Sequence, residues 1–130
     1  MPYAPVILDA SALLAMVLDE KGAEAVEKTL KEGAYMTTVN LAETITKLLR
    51  EGFALEDIKG LLLSMPIARI AVDESLAYEA ASYDSLTRPF GLSLGDRICL
   101  AAAQQRGYTA MTADRVWDTL PLDISVQLIR

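Results

Sequence analysis

The sequence predicts an α/β fold with three layers, in which helices cover both faces of a mostly parallel central sheet of about five strands. Short apolar runs of strand type alternate with longer segments of helical periodicity along the 130 residues, a pattern typical of a covered parallel sheet. The hydrophobic fraction of 52% is enough for a core and too high for a disordered chain. The length suits one compact domain, so we expect a single domain over residues 1–130.

The first half of the chain is predicted to form two strands and three helices. The run Pro5–Asp9 is apolar and partly β-branched, as in a buried central strand. Ser11 is a suitable N-cap for the first helix, and Gly33 ends the second. Apolar residues at 41, 45, 48 and 49 give the third helix one buried face. In order, these elements are strand 5–9, helix 12–18, helix 23–32, strand 35–38 and helix 41–50.

The second half continues the alternation. Pro66 stops one helix, Arg88–Gly91 forms a turn, and Gly107 ends a long alanine-rich helix. In order, the predicted elements are helix 55–64, strand 67–72, helix 75–87, helix 93–106, strand 109–112 and strand 124–129.

The composition excludes several classes of enzyme. Histidine is absent, so the chain has no Ser-His-Asp triad, no Cys–His pair and no histidine-ligated zinc site. The single cysteine, Cys99, lies in an apolar helical run and is expected to be a small core residue. No apolar run reaches the ~18 residues of a membrane helix. Asp9 interrupts the apolar N-terminal stretch, which no basic region precedes, so we expect a cytoplasmic protein.

Four acids stand where a predicted strand has ended or a helix begins: Asp9, Glu43, Asp96 and Asp114. In open parallel sheets the functional site lies beyond the carboxyl ends of the strands, so the fold can bring all four to one crevice. Gathered carboxylates without histidine or cysteine suit a hard cation such as Mg²⁺ or Mn²⁺. The pattern therefore points to metal-assisted hydrolysis of phosphodiesters. The net charge of −6 argues against a large phosphate-binding surface, although two divalent cations would offset most of it.

Each acid also has a structural reading, which is the better supported one for any acid taken alone. Asn40 to Glu43 and Ser93 to Asp96 both fit a capping box, in which the acid accepts from the backbone amide of the first residue. Asp9 is the hardest to explain in this way. An acid directly after Val-Ile-Leu is expected to be partly buried, and a buried carboxylate needs a partner or a cation.

Three segments together resemble the PIN-domain family, and within it the VapC-type ribonuclease toxins. They are VILDASALLAM at 6–16, TTVNLAETITKLL at 37–49 and GLSLGDRICLAAAQQRGYTAMTAD at 91–114. The likeness runs from Val6 to about Asp118, in the order and spacing of that family. No single segment is decisive, and their joint occurrence carries the resemblance.

The resemblance implies a PIN-like fold and a Mg²⁺- or Mn²⁺-dependent endoribonuclease holding one or two ions. It implies that Asp9, Glu43, Asp96 and Asp114 form the catalytic metal site, with Ser11 and Thr112 as supporting hydrogen-bonding residues. Some relatives carry a further acid at the position of Asp118, for which a solvated helix residue is the alternative reading. It also implies a toxin of a type II toxin–antitoxin module, held by a VapB-type antitoxin and acting as a homodimer. The apolar segments 12–18 and 55–65 are candidates for the antitoxin groove, the dimer interface or plain core.

Positive charge near the acids is a candidate for binding the RNA substrate. Lys47, Arg97 and Arg115 lie close to the acids in sequence, as does Arg50. The alternative for Lys47 is an ion pair with Glu43 four residues earlier. Arg97 and Arg115 either hold phosphates or pair with nearby acids.

Other functional classes fit less well or stay open. A receiver domain needs an early pair of acids and a late lysine, and a haloacid-dehalogenase-type phosphatase needs Asp-x-Asp where this chain has Asp9-Ala-Ser11. A catalytically silent PIN-like module that binds RNA or protein remains an alternative. So does a PIN-type nuclease outside a toxin–antitoxin system, including one that cleaves DNA.

Overall fold

The computed structural model describes residues 5–130 and contains one five-stranded sheet flanked by helices. The strands are β1 (Val6–Leu8), β2 (Ala34–Thr37), β3 (Ile67–Ile70), β4 (Thr109–Thr112) and β5 (Val126–Leu128). The α-helices are α1 (Ala10–Val17), α2 (Ala23–Leu30), α3 (Thr38–Arg50), α4 (Leu55–Leu63), α5 (Glu74–Ser82), α6 (Asp84–Thr87) and α7 (Leu94–Arg106). Short 3₁₀ helices cover Arg88–Phe90 and Arg115–Thr119.

All neighbouring strands run parallel, in the order β3-β2-β1-β4-β5. This confirms the predicted fold class. β1 lies at the centre, and its neighbours are β2 and β4. The residues that directly follow these three strands are therefore close together at one edge of the sheet.

Helices cover both faces of the sheet, and the side chains of β1 show how the two halves of the core divide. Leu8 packs into a cluster with α1 to α4, whereas Ile7 packs on the opposite face with α5 and α7. Both side chains are fully buried. A strand buried on both faces is apolar throughout rather than alternating, which explains the Val-Ile-Leu run. Cys99 lies in the second cluster, as expected of a core residue.

Two predicted helix starts differ from the structure. The N-cap of α1 is Asp9, whose side chain accepts from the Ala12 amide, so Ser11 lies inside the first turn and does not cap it. Thr37 caps α3, which begins three residues earlier than predicted, so Asn40 is not an N-cap. The cap is the residue directly after β1 in the first case and the last residue of β2 in the second, because the chain turns into the helix without an intervening loop.

The predicted helix 75–87 is divided into α5 and α6 at Tyr83. In an unbroken helix the Ala80 carbonyl would accept from the amide of residue 84. Here it accepts from the Tyr83 amide at 3.3 Å and from the Arg97 guanidinium at 3.2 Å. Arg97 comes from α7, far along the chain, so local sequence did not indicate the break. Across residues 5–130 no helix combines the length and apolarity needed to cross a membrane.

Candidate active site

Asp9 is the central acid of the site. It directly follows β1, and only 3% of its surface is exposed. Its carboxylate accepts the Ala12 amide at 2.8 Å, the Thr112 hydroxyl at 2.6 Å and the Ser11 hydroxyl at 2.8 and 2.9 Å from its two oxygens. The position at the amino end of α1 also places it in the favourable field of the helix. The carboxylate is thus held rigidly by three different groups.

The two hydroxyls join the ends of β1 and β4. Thr112 is the last residue of β4. Its hydroxyl donates a hydrogen bond to Asp9 and accepts one from the Asp114 amide at 3.0 Å. Ser11 accepts the Ala113 amide at 3.0 Å and also donates to Asp9. Each hydroxyl therefore connects the Asp9 side chain to the backbone leading to Asp114.

Asp96 lies in the first turn of α7 and forms a capping box with Ser93. The Ser93 hydroxyl accepts the Asp96 amide at 3.2 Å, and the Asp96 carboxylate accepts the Ser93 amide at 2.9 Å through Oδ2. This confirms the structural reading of Ser93 to Asp96. The same contact fixes the direction of the side chain, because it uses only one of the two carboxylate oxygens.

Asp114 follows β4 and caps the 3₁₀ helix Arg115–Thr119. Its Oδ1 accepts the Val116 amide at 3.1 Å, and the residue is exposed. Asp118 lies exposed on the same short helix.

Glu43 lies one turn into α3, and its carboxylate rests against the first turn of α7. The buried Asn40 side chain donates to Glu43 Oε1 at 2.9 Å and to the Gly95 carbonyl at 3.1 Å. A Cβ at Gly95 would lie only 2.3 Å from Glu43 Oε2. The contact from Asn40 thus comes from its side-chain amide, not from the backbone amide of a capping box. The sequence reasoning missed the roles of both Asn40 and Gly95.

The acids influence one another electrostatically. The pKa of Asp9 is raised to about 6, mainly by burial and in small part by the charge of Asp96, against three hydrogen bonds that lower it. Burial likewise raises the pKa of Asp96, with a smaller contribution from the charge of Asp114. Burial raises the pKa of the Cys99 thiol well above its usual range, and the charges of Asp9, Asp96 and Glu43 add to that shift. The four acids therefore lie close enough together for their charges to act on one another or on the same thiol.

Three of the four acids share one arrangement. In each, one carboxylate oxygen accepts a hydrogen bond, and the other accepts none from residues 5–130: these free oxygens belong to Glu43, Asp96 and Asp114. Free carboxylate oxygens of this kind are the ligands that a hard divalent cation binds, and the positive charge of the cation would offset the repulsion between the neighbouring acids. Within the described part of the chain, no three acidic or sulfur side chains gather closely enough to hold a metal ion as they stand. The donors fit such an ion in kind, and their present spacing does not define a coordination shell.

The predicted substrate-binding cations differ in their surroundings. The Arg97 side chain is mostly buried and bonds the Ala80 carbonyl at 3.2 Å, with Asp84 at 3.9 Å, so it takes the ion-pair alternative. Lys47 pairs with Glu51 at 3.4 Å and not with Glu43. Arg115 is exposed at the edge of the site.

A cleft of about 420 Å³ lies beside Glu43. It is lined by Val39, Ala42, Glu43, Thr46, Lys47 and Arg50. A larger cavity of about 1050 Å³ lies at the opposite edge of the sheet, where it meets the first residue of four strands: Val6, Ala34, Ile67 and Thr109. The smaller cleft is lined by one of the four acids, Glu43, whereas the larger cavity lies at the amino ends of the strands, away from the acids.

Comparison with known proteins identifies a family whose model matches this chain. The family model for the PIN domain matches residues 6–121. Among curated proteins, none matches the chain significantly.

Several solved structures share the fold. A toxin–antitoxin complex from Klebsiella pneumoniae is 17% identical, with 96% of this chain and 98% of that chain covered and a TM-score of 0.70. DNA-bound VapBC from Salmonella typhimurium is 13% identical, with 98% and 100% covered and a TM-score of 0.73. VapC20 from Mycobacterium tuberculosis, described as a toxin that cleaves the sarcin-ricin loop, is 16% identical, with 88% and 93% covered and a TM-score of 0.72. At these identities the likeness is one of fold. Because the family model spans nearly the whole chain, the protein belongs to the PIN-domain family.

Proposed function

We propose that this protein is a Mg²⁺- or Mn²⁺-dependent endoribonuclease, the toxin of a type II toxin–antitoxin module, with Asp9, Glu43, Asp96 and Asp114 as its catalytic metal-binding acids. The observation that carries the proposal is Asp9, a buried carboxylate at the centre of the carboxyl edge of the sheet, whose pKa is raised mainly by burial and in small part by the charge of Asp96. A buried charge next to like charges is unfavourable by itself. A divalent cation bound among these acids would offset the unfavourable charge and so explain the arrangement.

The residues of the chain divide the work of such a site. Asp9 is held by Ser11 and Thr112, so its oxygens keep one direction while RNA binds and leaves. Asp96 and Asp114 each have one oxygen held by a backbone amide and the other free for an ion or its bound water. A bound divalent cation supplies a water of lowered pKa and positive charge for the phosphate oxygens. With no histidine in the chain, a carboxylate is the side chain available to accept the proton of the attacking water.

RNA and an antitoxin are the proposed partners. The cleft beside Glu43 carries Lys47 and Arg50, which offer positive charge to a phosphate backbone close to the acids. Leu61 and Leu63 are exposed on α4, with 36% and 73% of their surfaces accessible, while Leu62 between them is buried. Exposed leucines of this kind suit a protein partner, which supports an antitoxin or a second copy of the chain there. The names of the structural neighbours point to the same kind of partner.

Cleavage of RNA by an Asp96→Asn variant tests the proposal. The variant keeps an acceptor for the Ser93 amide and loses the charge, so we expect it to fold and to cleave RNA at least about a hundredfold more slowly with Mg²⁺ present. Asp57→Asn is the matched control, since Asp57 is also a first-turn acid, exposed on α4. Equal cleavage by Asp96→Asn and the wild type would overturn the proposal.

A catalytically silent PIN-like module is the second candidate, because no three of the described acids gather closely enough to hold an ion as they stand. It predicts that the purified wild-type protein leaves RNA intact with either Mg²⁺ or Mn²⁺. The same assay therefore separates the two.

A further inference from the structure

The side chain of Asn40 is fully buried, and its oxygen and both of its N–H groups are hydrogen-bonded. Its oxygen accepts the Thr37 hydroxyl at 2.6 Å, and its nitrogen donates to Glu43 at 2.9 Å and to the Gly95 carbonyl at 3.1 Å. The amide has one consistent orientation, because the Glu43 carboxylate and the Gly95 carbonyl are both acceptors and require a donor between them. Asn40 thus connects α3 to α7 at the point where the Glu43 side chain reaches from α3 to α7.

Gly95 completes the contact from the other side. Its ideal Cβ would lie 2.3 Å from Glu43 Oε2 and 2.5 Å from both Cδ and Oε1. The backbone there is ordinary helix, because Gly95 has no positive φ. The glycine is therefore required for space alone, and the object that fills the space is the carboxylate of a proposed metal ligand.

We infer that Asn40 and Gly95 are positioning residues that hold the Glu43 carboxylate over the first turn of α7, next to Asp96. The inference rests on the proposed function for its consequence and on these contacts for its geometry. Glutamate is long and loses about 1.5–2 kcal/mol of rotamer freedom when it is immobilised. Asn40 and Gly95 immobilise it before an ion arrives, so less of that cost falls on metal binding.

Gly95→Ala is the informative substitution. Alanine is a better helix former than glycine, by up to about 1 kcal/mol, and the group it displaces is the end of a flexible side chain. We therefore expect the variant to fold with nearly wild-type stability and to bind Mn²⁺ about 10–100-fold more weakly in calorimetry, the usual range when an outer partner of a ligand is lost. Gly60→Ala is the matched control, since Gly60 lies in α4 with nothing within 4 Å of its Cβ position.

A double-mutant cycle separates positioning from a general effect on the helix. In a Glu43→Ala background there is no carboxylate to displace, so Gly95→Ala is expected to leave the remaining Mn²⁺ affinity unchanged. Losses that add, instead of disappearing, would overturn the inference.

The NMR signals of the Asn40 side-chain amide give a readout that needs no metal. They are expected to exchange slowly with solvent in the wild type and in Gly60→Ala, and to shift and exchange faster in Gly95→Ala and in Glu43→Ala. Unchanged Asn40 signals in Gly95→Ala would overturn the positioning role. A wild-type protein that binds no Mn²⁺ while these signals behave as expected would instead overturn the proposed function.

Discussion

Asp9 shows how one residue serves both fold and chemistry. Sequence alone indicated an acid at the end of a buried strand, and the structure shows it nearly inaccessible and held by Ser11, Thr112 and the Ala12 amide. Its pKa of about 6 lies above the ordinary 3.8 because burial outweighs those hydrogen bonds. A proton therefore binds the folded state more tightly than the unfolded state. The stability that this proton contributes is complete below about pH 4 and is lost as the pH rises through about 6.

The pH dependence of the stability of Asp9→Asn tests how strongly the ionised, buried carboxylate destabilises the fold. Asparagine keeps the shape and cannot ionise, so without metal we expect the variant to be more stable than the wild type at pH 8. A shift of about two pKa units corresponds to roughly 3 kcal/mol at most. The advantage should grow by about 1 kcal/mol between pH 5 and pH 8. Urea unfolding of both proteins in chelator at the two pH values gives the difference, and an advantage independent of pH would contradict a raised pKa.

Asn40 and Gly95 mark what could not be predicted at the residue scale. The acids follow strands or begin helices, and such positions can be found by periodicity and turn residues. The contact of Gly95 with Glu43 joins residues more than fifty positions apart, and an asparagine near a helix start resembles an ordinary cap. The available signal was a glycine in the first turn of a strong helix, since glycine there weakens the helix unless the space is needed.

At the scale of elements, helix starts and catalytic candidates coincide. Asp9 caps α1, Asp96 completes the capping box of α7 and Asp114 caps the 3₁₀ helix Arg115–Thr119. Each cap uses a carboxylate oxygen, so the helix start sets the direction of the acid. This is why the structural and catalytic readings of these acids are compatible: the same contact that stabilises the helix leaves the second oxygen of Asp96 and Asp114 free.

Ser93→Ala measures the structural half of that arrangement. It removes the hydroxyl that accepts the Asp96 amide, so we expect the free energy of unfolding to fall by about 1 kcal/mol, as for other N-cap losses. Ser93→Thr retains the hydroxyl and serves as the control. Urea denaturation compares the three proteins, and a Ser93→Ala variant as stable as the wild type would show that the capping box contributes nothing to α7.

For the whole molecule, the alternation of strands and helices was enough to predict a parallel sheet with two covered faces. The spatial order of the strands was not, because β1 gains its central place only from pairing with both β2 and β4. The α5–α6 break had the same origin, since Arg97 reaches Ala80 across two elements. Local pattern thus predicted the elements, and contacts between distant segments decided the details that shape the site.

Net charge links the site to the stability of the entire fold. The chain carries −6, and part of that charge is concentrated at the site, where the charge of Asp96 contributes to the raised pKa of Asp9 and the charge of Asp114 to that of Asp96. An ion that binds the folded state and not the unfolded one stabilises the fold by mass action, by about 2.7 kcal/mol at a hundredfold excess over its Kd. For a domain of this size that corresponds to a rise in Tm of roughly 10 °C.

We therefore expect Mn²⁺ to raise the Tm of the wild type by this order and to have little effect on Asp114→Ala, in thermal unfolding followed by circular dichroism. A titration with NaCl at matched ionic strength removes the contribution of screening. Equal rises in both proteins, or the same rise with NaCl, would mean that the acids do not act together on a cation.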